Sequence, residues 1–367
     1  MATFDVLLPV RNGIDYLAQA LDSIQSQSFR DWRLLVLDHG SSDGSTELAR
    51  AYGERDRRIQ VHVMADAPDL SALLNRGLDL CDCRYVLRQD ADDISLPDRM
   101  AELARAFTAD PELVLAASLG DVIDGRGRII GRIDMPTGPW GMRAGALFRT
   151  PTAHPAVALR LDALVRLGAR YGEDFIGAVA PAARLRVPGL AEDYFLFGQL
   201  ALTCRCVNLA RKLIRYRWHG ANVGAVHASA QMKMALDISR YLAESLAIMQ
   251  GTASFDPAPF CNHGERLFDM GEGRDFSEAY RVMEQILSRV MPPGPELRRE
   301  LAFRKLLARR DAAMALRYGI FLGRHGFRPS EWRTVKSWLL RNSRRQPLVR
   351  AGVVSTTESR RTADAGY

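Results

Sequence analysis

The chain has 367 residues, 47% hydrophobic and 25% charged, which suits one large domain with an extension, or two domains, and excludes a disordered or fibrous protein. Lys and Arg (50) outnumber Asp and Glu (43), and the net charge of +7 points to an anionic partner without naming it. Five cysteines, four of them in the pairs Cys81/Cys83 and Cys204/Cys206, match neither a disulfide framework nor the usual zinc spacing, so reduced thiols are expected.

The first apolar stretch, residues 4–10, is short and lacks a basic leader, and no run of 18 apolar residues follows; a cytoplasmic chain without a spanning helix is expected. Val6-Leu7-Leu8 reads as a buried strand. Ile14, Leu17, Leu21 and Ile24 then recur at helical spacing over 14–27. Residues 33–38 form a second buried strand that breaks at Gly40-Ser41-Ser42-Asp43-Gly44, before a helix over 46–52. A strand at 59–64, a helix at 70–80 and a strand at 84–87 continue the alternation. This order predicts crossovers and a mainly parallel sheet, with ligands at the carboxyl ends of the strands, where Asp38 and Asp90 fall.

Further on, the pattern predicts a helix over 98–109, strands at 114–117 and 121–123, a turn at Asp124–Gly127 and a loop over 134–155 holding a short helix near 142–148. A helix at 192–203 and a strand at 212–218 close this half. Beyond residue 225 only helical patterns remain: 227–250, 275–290, 296–323 and 329–342. Three units are therefore expected: 1–225 around the sheet, 226–354 helical and basic, and a disordered tail at 355–367. Residues 298–350 hold 15 Lys or Arg against 3 Asp or Glu, so the positive charge sits in the helical region and the rest is net acidic.

Asp90-Ala91-Asp92-Asp93 carries the strongest chemical signal. Three carboxylates within four residues repel one another unless a cation compensates, and a hard divalent cation shared with substrate phosphates is one solution. A solvated turn capping the next helix is the plain alternative. Glu192-Asp193 opens a helix, either as favourable charge at its N-terminus or as a general base for an acceptor hydroxyl. His219 is a candidate ligand or phosphate contact, or a structural imidazole. Gly40-Ser41-Ser42-Asp43-Gly44 has the spacing of a hydrolase nucleophile elbow at Ser42, but no oxyanion segment accompanies it. The turn after the first strand lacks the glycines and basic residues expected of a nucleotidyltransferase phosphate loop. A catalytically silent binding protein on the same fold is the remaining alternative.

Taken together, Val6–Gly13, Leu35–Ser45, Leu74–Leu78, Asp90–Asp93 with Pro97 and Arg99-Met100, His154–Val157 and Glu192-Asp193 resemble the family 2 glycosyltransferases over about residues 3–222. The resemblance implies an inverting enzyme with the α/β GT-A nucleotide-diphospho-sugar transferase fold, a mainly parallel sheet flanked by helices, and a mostly α-helical C-terminal extension. It implies Mg²⁺ or Mn²⁺ as cofactor, a nucleotide-sugar donor, with a UDP-sugar expected, and a hydroxyl acceptor that can be lipid-linked. Surface polysaccharide or glycolipid assembly is the implied setting. Carried over by position, Asp92 binds the metal, with His219 a further candidate. Asp90 contacts the nucleoside, and Pro9, Val10, Asn12, Asp38, His39, Arg76 and Ala91 line the nucleotide pocket. Asp193 is the base, Glu192 supports the acceptor, and His154 lies on the acceptor side.

One departure concerns the base. The family usually carries two aspartates where this chain has Asp38-His39, and the second often touches the nucleobase. An imidazole can donate to a uracil carbonyl or stack on the ring, but cannot copy the two acceptor oxygens of a carboxylate. Over 296–350, aromatic and aliphatic residues alternate with arginines. Such a basic amphipathic region either lies on an anionic membrane surface, placing the enzyme on the inner face of the cell membrane, or caps the catalytic unit; nucleic acid is not expected.

Overall fold

The computed structural model describes residues 2–137, 139–220, 222, 226–262, 275–309, 313–339 and 354–356. Strands and helices alternate through the first quarter of the chain: β1 (Phe4–Val10), α1 (Ile14–Gln25), β2 (Trp32–Asp38), α2 (Ser45–Arg55), β3 (Ile59–Val63), α3 (Leu70–Asp79) and β4 (Tyr85–Arg88). Their strands run parallel in the order β4-β1-β2-β3. Both sheet faces are covered, which is why β1 and β2 read as unbroken apolar runs. Val6 and Leu8 pack with Leu17, Leu21 and Leu103 on one face, while Leu7, Leu35 and Leu37 pack with Leu73, Leu74 and Leu78 on the other. Gly77 permits that second approach, since a Cβ there would meet the Leu37 side chain at 2.4 Å.

The next elements are β5 (Ile94–Ser95), α4 (Arg99–Ala109), β6 (Leu113–Ile123), β7 (Ile129–Ile133), α5 (Pro139–Gly145), β8 (Val157–Arg160), α6 (Leu161–Leu167), α7 (Glu192–Thr203) and β9 (Arg205–Arg217). Here the sheet departs from the parallel expectation. β8 inserts antiparallel between β4 and β6, β7 is antiparallel to β6, and β9 runs parallel to β6 while pairing antiparallel with β5. The sheet is therefore mixed. The two short strands expected at 114–117 and 121–123 are one eleven-residue strand, β6, kept continuous by pairing with β9 along its length through register shifts.

The helical region contains α8 (Ala228–Gln250), α9 (Ser277–Val290), α10 (Pro295–Leu307), α11 (Met314–His325) and α12 (Pro329–Leu339). The main core runs through residue 225: Leu236, Leu242, Met283, Ile286 and Leu301 share a cluster with Leu7 and Phe195. The single helix expected over 296–323 is α10 and α11, whose turn back lets Met314, Tyr318 and Phe321 pack on Phe303, Leu306 and Leu307 as a separate small cluster. A short strand, β10 (Val354–Thr356), pairs with β7; the rest of the expected tail lies outside the described residues. Among the described residues no helix is long and apolar enough to cross a membrane.

Candidate active site

The carboxyl ends of β4, β1 and β2 open into a cleft of about 630 Å³, within the ~300–1,000 Å³ usual for small-molecule sites. Of the residues singled out in the sequence, Pro9, Val10, Asn12, His39, Asp90, Ala91, Asp92, His154, Glu192, Asp193 and His219 all line it. The only non-glycine residues with left-handed backbone, Asn12 (φ 53°) and Ala191 (φ 65°), lie there too among the described residues. Such conformations cost on the order of 1 kcal/mol for alanine and cluster at functional sites.

Two expected pocket residues do not face the cleft. Asp38 is buried, and its carboxylate is taken up by the Ser41 backbone N–H (2.9 Å) and hydroxyl (2.6 Å) and by the Thr46 hydroxyl, so it shapes the turn after β2. Arg76 points to the surface and pairs with Asp66 at 2.8 Å. Ser42 hydrogen-bonds Asn12 and has no histidine partner among the described residues, which removes the nucleophile-elbow reading.

The acidic cluster has the oxygens a hard divalent cation needs. One carboxylate atom each from Asp90, Asp92 and Asp93 lies within 4.8 Å of the others. Asp93 is buried; one oxygen accepts the Arg217 backbone N–H at 2.7 Å and the other has no hydrogen-bond partner among the described residues. Burial, then Asp92 and Asp90, push its carboxyl well above the ordinary range. An orphaned buried oxygen facing two further carboxylates fits a site built for positive charge. His219 stands one step back: its Nε2–H donates to Asp92 Oδ2 at 3.0 Å, and Asn222 Nδ2 donates to the same oxygen at 3.2 Å. Both hold the Asp92 carboxylate, and His219 borders the three-carboxylate group through it.

Two buried arginines that the sequence reading gave no role hold this cluster from behind. Arg99 in the first turn of α4 donates to Gln89, Ser95 and the carbonyls of Arg88 and Pro155. Burial lowers its pKa to about 9, opposed by Asp93 and Asp90. Arg217 at the end of β9 donates to the Asp92 carbonyl (2.8 Å) and to Gln19 of α1 (2.7 Å), and lies over the Tyr16 ring at 4.5 Å.

The opposite wall is the start of α7. Ala191 is its N-cap, so Glu192 and Asp193 sit in the first turn, where the helix favours negative charge. Glu192 is buried, and its carboxyl is pushed up to about 8 by burial and then by the neighbouring Asp193. Asp193 faces the cleft with no protein hydrogen bond among the described residues. His154 Nδ1 lies 3.9 Å from Glu192 Oε1. Its pKa is lowered by burial first and by Arg88 second. His39 closes the far end. Its Nε2–H donates to the Ala67 carbonyl at 2.8 Å, so the neutral ring offers an acceptor at Nδ1, not the donor the sequence suggested.

A β4-β1-β2 parallel core with a D-x-D-D cluster at the strand ends, facing a carboxylate pair at a helix start, defines a GT-A nucleotide-diphospho-sugar transferase fold. Within that class, residues 5–157 match the model described as Glycosyl transferase family 2. It is 29% identical over 160 residues to the putative glycosyltransferase EpsE of Bacillus subtilis (strain 168), covering 43% of this chain and 56% of that one. It is 24% identical over 220 residues to the O-antigen biosynthesis glycosyltransferase WbnJ of Escherichia coli, covering 58% of this chain and 79% of that one. The chain thus spans little more than half of EpsE. The crystal structure of S. aureus TarS 1–349 in complex with UDP-GlcNAc shares the fold, with TM-score 0.51 and 14% identity over 92% of this chain and 91% of that one.

Proposed function

We propose that the chain is an inverting glycosyltransferase that moves a sugar from a nucleotide-diphosphate donor to a hydroxyl acceptor. The observation that carries this is the facing of two acidic groups across one cleft: Asp90, Asp92 and Asp93 on the β4 side, and Asp193 beside the buried Glu192 on α7. Asp90 binds the nucleoside; Asp92 and Asp93 are the residues that would hold Mg²⁺ or Mn²⁺. A divalent cation there supplies positive charge to the departing diphosphate. Asp193 takes the proton of the acceptor hydroxyl, which attacks the anomeric carbon opposite the diphosphate and inverts it.

The donor is a UDP-sugar. The His39 ring, fixed by Ala67, presents one acceptor suited to the single N3–H of uracil, and TarS, which shares the fold, binds UDP-GlcNAc. Thermal shift with a panel of UDP- and GDP-sugars plus Mn²⁺ tests this. A ligand at a hundred times its Kd adds about 2.7 kcal/mol to stability. We expect UDP-sugars to raise Tm and His39→Ala to erase the preference; no shift with any nucleotide-sugar overturns the function, and a GDP preference overturns the base.

The acceptor is lipid-linked and the enzyme sits peripherally on the inner face of the membrane. α11 supports this: Leu316 and Ile320 are exposed one turn apart, and Phe327, past the end of the helix, is exposed as well. Arg324, Arg328 and Lys336 in the same C-terminal helices and their connection are exposed. Each basic group near an anionic leaflet contributes roughly 1 kcal/mol. The protein is expected to float with phosphatidylglycerol vesicles and not with neutral ones, and Leu316→Asp/Ile320→Asp to stay behind. Wild-type protein that remains in the bottom fraction with both vesicle types rules the surface out.

A further inference from the structure

Arg88 is the most extensively bonded side chain in the cleft, yet no motif assigns it a role. It closes β4, is 4% exposed, and makes four contacts. Nη1 donates to the carbonyls of Leu7 (3.3 Å) and Gln89 (2.6 Å), which ties the guanidinium to the backbone of β1 and of the residue that follows β4. The other two contacts diverge. Nη2 pairs with Asp90 Oδ1 at 2.5 Å, on the acidic-cluster side. Nε donates to His154 Nε2 at 3.1 Å, on the Glu192–Asp193 side.

The second contact determines which nitrogen of His154 carries the proton. An arginine Nε–H can only donate, so His154 Nε2 must accept, and the neutral ring keeps its hydrogen on Nδ1. That N–H is turned toward Glu192 Oε1, 3.9 Å away, at the wall where an acceptor hydroxyl would meet Asp193. Tyr171 and Phe197 rings pack against the imidazole, with centroids 6.0 and 5.8 Å away, and limit its turning.

We propose that Arg88 is a positioning residue joining the two half-sites: one edge of its guanidinium fixes Asp90 for the donor nucleoside, and the other fixes His154 as a donor on the acceptor side. The inference rests on the reading of Asp90 and Asp193 given above. Lysine cannot replace it, because a point charge cannot present two diverging N–H groups while holding two carbonyls.

The full chain is tested as wild type, Arg88→Lys, His154→Ala and the double variant. Calorimetry with UDP and Mn²⁺ reports the donor side, and nucleoside diphosphate release from a UDP-sugar reports turnover. Arg88→Lys is expected to weaken UDP binding about tenfold and to lower kcat about tenfold, whereas His154→Ala lowers kcat alone. Because both act through one bond, the double variant should show the kcat of Arg88→Lys, not the product of the two losses. Multiplicative losses in kcat, or unchanged UDP affinity in Arg88→Lys, overturn the proposal. If Arg88→Lys does not fold, His154→Asn takes its place: its amide N–H can stand where the Nδ1–H does and should restore turnover relative to His154→Ala, and failure to do so overturns it. Wild-type protein that neither binds UDP nor releases it overturns the parent reading and this one together, whereas wild-type activity with additive variants sinks only the role of Arg88.

Discussion

Asp193→Asn is expected to lower sugar transfer by ~10²–10⁴-fold while leaving the thermal unfolding curve nearly unchanged. The carboxylate is in the first turn of α7 and lines the cleft, so the amide occupies the same place but cannot take a proton. Glu192 is a poor substitute, because burial, the larger cause of its raised pKa, is unchanged in the variant. The same pair sets a pH dependence. As pH rises through about 8, Glu192 ionises beside Asp193, and two like charges then share one wall; turnover should decline on that limb, and Glu192→Gln should remove the decline. The linkage has a definite sign. A carboxyl raised in the folded state from 4.5 to about 8 contributes stability below 4.5, and that contribution is lost as pH climbs to about 8. Purified Asp193→Asn with near wild-type release of nucleoside diphosphate would remove the base assignment.

Asp92→Asn and removal of divalent metal with EDTA should each reduce turnover on the order of 10²–10³-fold, the scale of several kcal/mol of charge stabilisation. The variant keeps a side chain for His219 and Asn222 to contact, so the fold should survive while the charge is lost. Added Mn²⁺ or Mg²⁺ should restore the chelated wild type and fail to restore Asp92→Asn. Activity undiminished after exhaustive chelation would show that Asp90, Asp92 and Asp93 are a structural turn held by Arg99 and Arg217.

Much of the donor side was legible because its elements are local. The β1–β4 alternation follows directly from apolar runs and turn residues, and Asp90–Asp93 falls where a parallel strand ends. The acceptor side was less legible because its contacts span the chain. β8 and α6 lie within the 157–167 stretch and give no separate periodic signal; β8 is a strand because β4 and β6 both pair with it. Asp38 looked like a pocket residue because it ends a strand, yet Ser41 and Thr46 satisfy its oxygens within a few residues. Arg88 carries no signal of its own in the sequence, since its partner His154 is 66 positions away. Arg217 was likewise hidden: its partners Gln19, Asp92 and Asp124 come from three distant segments. The sign a reader could have used is its place directly before Trp218-His219 at a strand's end.

The path of β9 bears on how such enzymes exchange parts. The match to the family model ends at residue 157, which makes the first part of the chain look like an interchangeable cassette. Yet β9 arrives from beyond α7, lies along β6, pairs with β5 and ends with Arg217 under the acidic cluster. The half that carries the acidic cluster is thus finished by chain that comes after α7. A crossover between relatives anywhere from 157 to 217 would join one parent's cluster to another parent's clasp, so the smallest heritable unit of this site runs from β1 through Asn222.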